Sequence, residues 1–167
     1  MSKPARVRIK VKESLAGKTR SFIREILAAM ELTAEVTVRE NEEAVAVDLA
    51  GPQLGVLIGR RGETLDSLQY LVNLAINRRQ EKMKRIIIDV EGYRLRREQS
   101  LRDMAAKMAD KARQKGRSVV LEPMSAVERR IIHTALQGRD DIYTFSEGEE
   151  PFRKIVISPR RSGTSNR

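Results

Sequence analysis

Apolar residues along this chain change their spacing several times, and each change predicts an element. Phe22, Ile23, Ile26, Leu27 and Met30 recur three and four residues apart, which predicts an amphipathic helix over residues 19–31 with Thr19 as its cap. The period then falls to two. Val36 and Val38 alternate with Thr37 and Arg39, residues 40–43 form a polar turn, and Val45, Val47 and Leu49 alternate on the return. That is a β-hairpin, closed by Gly51-Pro52. Residues 53–58 read as a short helical turn. Leu65, Leu68, Leu71, Val72, Ala75 and Ile76 then mark a long helix with a wide buried face, starting near Glu63 and closed by Arg78 and Arg79. The β-branched run at residues 85–90 is too short for a helix and reads as a strand joining the hairpin. The order helix, strand, strand, helix, helix, strand predicts an α+β unit, with helices on one face of a three-stranded sheet.

Gly92 opens a second region. Leu95, Leu101, Met104, Ala105, Met108 and Ala112 form a helical packing stripe that ends at Gly116. Arg94, Arg96, Arg97, Arg102, Lys107, Lys111 and Arg113 occupy the other faces of that helix, which reads as a stiff, solvated spacer between two modules. Residues 118–121 are strand-like. Ser125 followed by Glu128 is a capping box, predicting a helix over residues 126–137 that stops at Gly138. Two further strands, residues 142–146 and 152–158, are joined by a turn at 147–150. At the ends, residues 1–17 read as a basic arm in which Val7, Ile9 and Val11 alternate as a short strand, and residues 159–167 read as a disordered tail. The expected division is therefore an arm (1–17), a first module (18–91), a basic helix with a second module (92–158) and a tail (159–167).

A chain of 167 residues with 40% hydrophobic content can bury one real core or two small ones, and the pattern favours two. Its net charge of +10 points to a polyanionic partner, nucleic acid or an acidic membrane surface. The charge is focused: residues 78–117 hold fourteen Lys/Arg against six Asp/Glu, which is +8 of the total. Residues 31–50 hold six acids and one arginine, a surface that would repel a polyanion. The absence of cysteine excludes disulfides, thiol nucleophiles and thiolate metal sites, and a single histidine cannot build a His-rich metal site. No cofactor or metal is expected. No run approaches the roughly 20 apolar residues of a membrane span, and the N-terminus lacks the apolar core of a secretory signal. A cytoplasmic protein without membrane insertion is expected.

Two constellations carry chemistry. Gly59-Arg60-Arg61-Gly62 lies between an apolar turn, with Ile58 as its last residue, and a helix start. Glycines three apart allow a ligand backbone to approach, the arginines supply charge, and the helix N-terminus aims unpaired N–H groups at the same place. The alternative is an ordinary turn with two exposed arginines. Arg129 and His133, four apart on the later helix, stand next to each other, and with Arg130 and Gln137 they form its wet side, while Val127, Ile131, Ile132, Ala135 and Leu136 point elsewhere. Arginine with imidazole one turn away can hold a phosphate and stack on a base. A surface histidine beside a surface arginine is the plainer alternative. No glycine-framed serine, no paired acids and no nucleotide-hydrolysing phosphate loop are present, so an enzyme is not expected.

With both constellations in view, residues 18–158 resemble the Jag/KhpB family of bacterial RNA-binding proteins. The run from Leu57 to Leu71 looks like that family's KH signature, and the element order is similar to the type II KH fold, α-β-β-α-α-β. Pro123-Met124-Ser125 through Leu136, with Arg129 and His133, looks like its second, small α/β module, named for an arginine and a histidine separated by three residues. The resemblance implies a post-transcriptional regulator that binds single-stranded RNA, or DNA at its second module. Ile58, Gly59, Arg60, Arg61, Gly62, Arg129, Arg130 and His133 would be its contacts. It also implies links to sporulation, cell elongation and envelope synthesis, and a small single-KH protein as partner. Longer family members carry a further N-terminal domain, for which residues 1–17 are too short. The competing reading is a basic adaptor at the membrane or division machinery, acting through lipid or protein contacts.

Overall fold

The structure, a computed structural model, describes residues 14–78, 80 and 82–160. The strand expected at Val7, Ile9 and Val11, the helix-closing Arg79 and tail residues 161–167 lie outside the described residues. The chain divides between Arg94 and Leu95 into two compact units.

In the first unit, helix α1 spans Leu15–Ala29, one turn earlier than the sequence pattern suggests. Ser14 is extended (φ −64°, ψ 158°), so its hydroxyl accepts from Gly17 N at 3.1 Å and caps the helix. Thr19 is not the cap. It is buried, and its hydroxyl donates back to Leu15 O at 2.8 Å. The hairpin follows as β1 (Glu35–Glu40) and β2 (Ala44–Ala50), with Val36 opposite Leu49 and Val38 opposite Val47. The Asn41 side chain closes the turn by accepting from Glu43 N and Ala44 N at 2.9 and 2.7 Å. A one-turn helix α2 (Gly55–Ile58), the loop, and helix α3 (Glu63–Asn77) lead to β3 (Arg85–Val90). β3 lies parallel to β2, giving the sheet order β1-β2-β3.

The helices cover one face of this sheet. Ile23 and Leu27 of α1, Leu57 of α2, and Leu65 and Val72 of α3 are buried with Val45, Val47, Leu49, Ile86 and Ile88. Each fully buried aliphatic side chain contributes roughly 1.5–3 kcal/mol to folding. The apolar face of α3 is narrower than its sequence suggests: Leu71 and Leu74 are 58% and 59% exposed, and Ala75 is exposed too. The third side of α3 is polar and has a different task. Gln69, Asn73 and Asn77, four residues apart, reach the free edge of β3. Asn73 bonds both Ile86 O (2.7 Å) and Ile86 N (2.8 Å), and Asn77 bonds both Lys84 O (2.9 Å) and Lys84 N (3.1 Å). Gln69 accepts from Ile88 N at 3.0 Å, and Arg94 Nε donates to Ile88 O at 3.2 Å. The outward backbone groups of alternate residues are thus satisfied, which closes an edge that could otherwise pair with another strand.

The second unit is built from α4 (Tyr93–Lys115), whose first residues belong to the unit before, then β4 (Val119–Val120), α5 (Ala126–Leu136), β5 (Ile142–Glu147) and β6 (Lys154–Pro159). The three strands are antiparallel in the order β4-β6-β5. The basic segment is no free spacer: Leu101, Ala105, Ala109 and Ala112 of α4 are buried with Ile132, Leu136, Ile142, Ile155 and Ile157. Three alanines at a three-to-four-residue spacing leave little side-chain bulk, so this seam of the helix sits close on its neighbours. Leu95, expected in the stripe, is 75% exposed, and Ala109 holds a core position instead. Ser125 caps α5 by accepting from Glu128 N at 3.3 Å. Glu128 itself is held by Arg97, whose Nε and Nη2 lie 2.8 and 2.7 Å from its carboxylate. Strand β6 starts at Lys154, leaving Phe152 outside it and 75% exposed.

Candidate nucleic-acid interface

Between α2 and α3 the chain turns through Gly59 at φ 68°, ψ −167°, a one-turn 3-10 segment over Arg60–Gly62, and Gly62 at φ 84°, ψ 8°. Both glycines occupy positive-φ conformations that side chains disfavour. Packing excludes a side chain at each as well. A Cβ on Gly59 would lie 2.0 Å from the Thr64 hydroxyl, and one on Gly62 would lie 2.8 Å from the Tyr93 ring. Gly59 is exposed, so its backbone is open to a ligand; Gly62 is buried beneath Tyr93. The two glycines are therefore unlike in role, a difference that their symmetry in sequence hides.

Arg60 is exposed at the mouth of this loop. Arg61 adopts a left-handed conformation (φ 55°, ψ 24°), is half-buried and is engaged within the chain, which departs from the fully exposed pair expected. Ile58 is half-buried against the core, one face outward. The first turn of α3 carries Glu63 and Asp66, which oppose an anion there. Asp66 is neutralised by Arg94 Nη1 at 2.8 Å.

On α5 the structure separates residues that the spacing groups together. Arg130, His133, Thr134 and Gln137 are exposed, along with Val127 at 71%. Arg129 is not on that face. It is 8% exposed; its Nη1 donates to Met124 O at 2.6 Å and its Nη2 meets Glu150 at 2.5 Å, with Arg153 O at 3.4 Å from Nη1. The guanidinium thus ties the loop before α5 to the β5–β6 turn, and the Arg129 hydrogen bond holds the Glu150 carboxyl below the usual carboxylate range. Four-residue spacing leaves about 40° between side chains around a helix, enough for one to turn inward while the other stays wet. His133 is exposed, and its Nδ1 pairs with the Thr144 hydroxyl on β5.

Further cations of the second unit are also paired. Arg139 bonds Asp141 and Asp110 at 2.7 and 2.9 Å, and this contact holds Asp141 below its ordinary range. Arg102 pairs with Glu98 one turn away at 2.7 Å. Among the described residues no three His, Asp or Glu side chains converge as metal ligands, and no helix is long and apolar enough to cross a membrane.

Residues 19–88 match the family model of the KhpA/KhpB KH domain, and residues 99–159 match that of the Arg-x-x-x-His domain, the module named for an arginine and a histidine separated by three residues. The RNA-binding protein KhpB of Clostridium symbiosum is 46% identical over 162 residues, which cover 96% of this chain and 73% of that protein. The chain belongs to the KhpB family. The RNA-binding protein KhpB of Bacillus subtilis strain 168 is 37% identical over 161 residues, 95% of this chain and 77% of that one. That of Lactiplantibacillus plantarum is 29% identical over 140 residues, 84% of this chain and 44% of its own length. The first unit is thus a KH domain and the second an Arg-x-x-x-His domain; both are binding domains rather than catalytic ones, and this KhpB family member is not an enzyme.

Two features escaped the sequence reading. The Gln69, Asn73 and Asn77 spacing was visible, though nothing in it named β3 as its target. Tyr143 and Phe145, two apart on β5, stack with ring centroids 6.0 Å apart and interplanar angle 19°. Their alternation marked a strand without saying that their face would be left open.

Proposed function

We propose that this chain is a cytoplasmic RNA-binding protein that clamps single-stranded RNA through the Gly59–Gly62 loop and a second contact on α5. The observation that carries this reading is the exposed Gly59 backbone beside the exposed Arg60 at the start of α3, within a KH domain. A loop of that kind clamps about four nucleotides. The names of the relatives, all RNA-binding proteins, support it. Arg60 takes a phosphate, Gly59 allows close approach, and Ile58 offers an apolar floor to a base. Arg130 and His133 hold a further stretch of strand, with Arg129 fixing the turn next to them. The wider role is post-transcriptional regulation linked to cell elongation, envelope synthesis or sporulation, with a small single-KH protein as partner.

The test is titration of the full chain with single-stranded RNA at two or more salt concentrations. Binding weakens steeply with salt, because each phosphate contact releases counterions. Arg60→Asp removes most of the affinity while the melting temperature holds. Arg60 is the cleaner target, since Arg61 is engaged within the chain. Wild-type affinity in folded Arg60→Asp protein would reject the clamp.

A further inference from the structure

The sheet of the second unit has two unlike faces. Ile142, Ile155, Ile157 and Leu121 point into the core beneath α4 and α5. On the opposite face, the register sets Tyr143 beside Ser158 and Phe145 beside Val156, with Val120 beyond Val156 on the other edge strand. Tyr143, Phe145 and Val120 are 47%, 43% and 53% exposed, a high share for large apolar side chains flanking one strand. The two rings stand nearly parallel. Beside Tyr143 lies an open cavity of about 590 Å³, lined by Gly116, Arg117, Ser118, Ser158 and Pro159. Its floor is polar: the Ser118 and Ser158 hydroxyls bond each other at 2.7 Å.

Charge along this face is graded. Arg117 and Arg160 flank the Tyr143 end, where β6 finishes, and Arg117 is exposed and outside the ion pairs formed among the described residues of this unit. Glu147, opposite Lys154, and Glu149 and Glu150 lie at the other end. A polyanion is therefore attracted at the Tyr143 end, whereas at the other end Glu147 faces Lys154 and Glu150 is held by Arg129. Aromatic rings on an open sheet face with cations beside them are the means by which proteins stack unpaired bases while holding the backbone. We propose that this face is a third single-stranded RNA site in the chain, distinct from the Gly59–Gly62 loop and the α5 stripe, where Tyr143 and Phe145 stack two bases and Arg117 holds a phosphate at the cavity. The inference rests on the RNA-binding reading above.

The experiment irradiates the full-length protein bound to an oligouridylate longer than the roughly four nucleotides of a KH loop. Trypsin then releases the fragment between Arg139 and Arg153, and tandem mass spectrometry locates the adduct. Nucleotide adducts on Tyr143 or Phe145 are expected. Tyr143→Leu with Phe145→Leu keeps apolar bulk and removes both rings; it weakens binding about tenfold or more. Arg117→Glu weakens binding and lowers the slope of affinity against salt. Wild-type affinity in the folded double variant overturns the proposal. If that variant unfolds, the wild-type adduct decides, and its absence from both rings overturns the proposal. A wild-type chain that binds no RNA overturns the RNA-binding reading itself, and this site with it.

Discussion

Arg129 faces inward and meets Glu150 across 2.5 Å, tying helix α5 to the turn between β5 and β6. In the sequence this arginine pairs with His133 as a surface couple. In the fold it also satisfies the Met124 carbonyl, so its removal leaves an acceptor without its partner. Arg129→Ala is expected to destabilise the second unit by about 2 kcal/mol and lower its melting temperature by roughly ten degrees. Circular dichroism melts of the full chain check this. Arg129→Lys keeps the charge without the planar fork and recovers only part of the loss.

His133→Ala behaves differently. The ring is exposed, so the melting temperature stays within a few degrees of wild type, while RNA affinity falls. Equal affinity in the variant would remove His133 from the interface.

Gly62→Ala is expected to destabilise the KH unit, because the new methyl meets the Tyr93 ring and the backbone is left-handed. A partner substitution separates the two costs: Tyr93→Ala relieves the steric part and leaves the conformational part, about 1 kcal/mol. A double-mutant cycle on urea unfolding reads the coupling.

Asn73→Ala strips both partners from Ile86 on the edge of β3. The expected loss is about 2–3 kcal/mol. Amide exchange at Ile86 should accelerate more than that at Ile87, whose backbone groups point inward, toward β2. Uniform exchange along β3 would show that the ladder does not protect the edge.

Acid sensitivity follows from three carboxylates. Lys84 lowers Glu40, Arg139 lowers Asp141, and Arg129 lowers Glu150. A carboxylate depressed in the folded state stabilises the fold above its unfolded pKa and loses that effect as pH falls through the folded value. Stability is therefore full at neutral pH and declines below the ordinary carboxylate range. Glu150→Gln and Asp141→Asn should flatten that decline, as read from melting temperature against pH.

Period and punctuation in the sequence determined the elements. Alternation at Val36, Val38, Val45, Val47 and Leu49 marked the hairpin, and Ser125 marked the start of α5, because these signals act within a few residues of chain. The Gly59–Gly62 frame was visible for the same reason. What each long polar side chain does was not, since that depends on the surface brought opposite it. Only the fold put Met124 O and Glu150 within reach of Arg129, set β3 beside Asn73, laid Tyr93 over Gly62 and left Tyr143 and Phe145 on an uncovered sheet face. Residues far apart in sequence share no local signal of such pairings, and hydrogen bonds of a few ångströms are decided by tertiary packing.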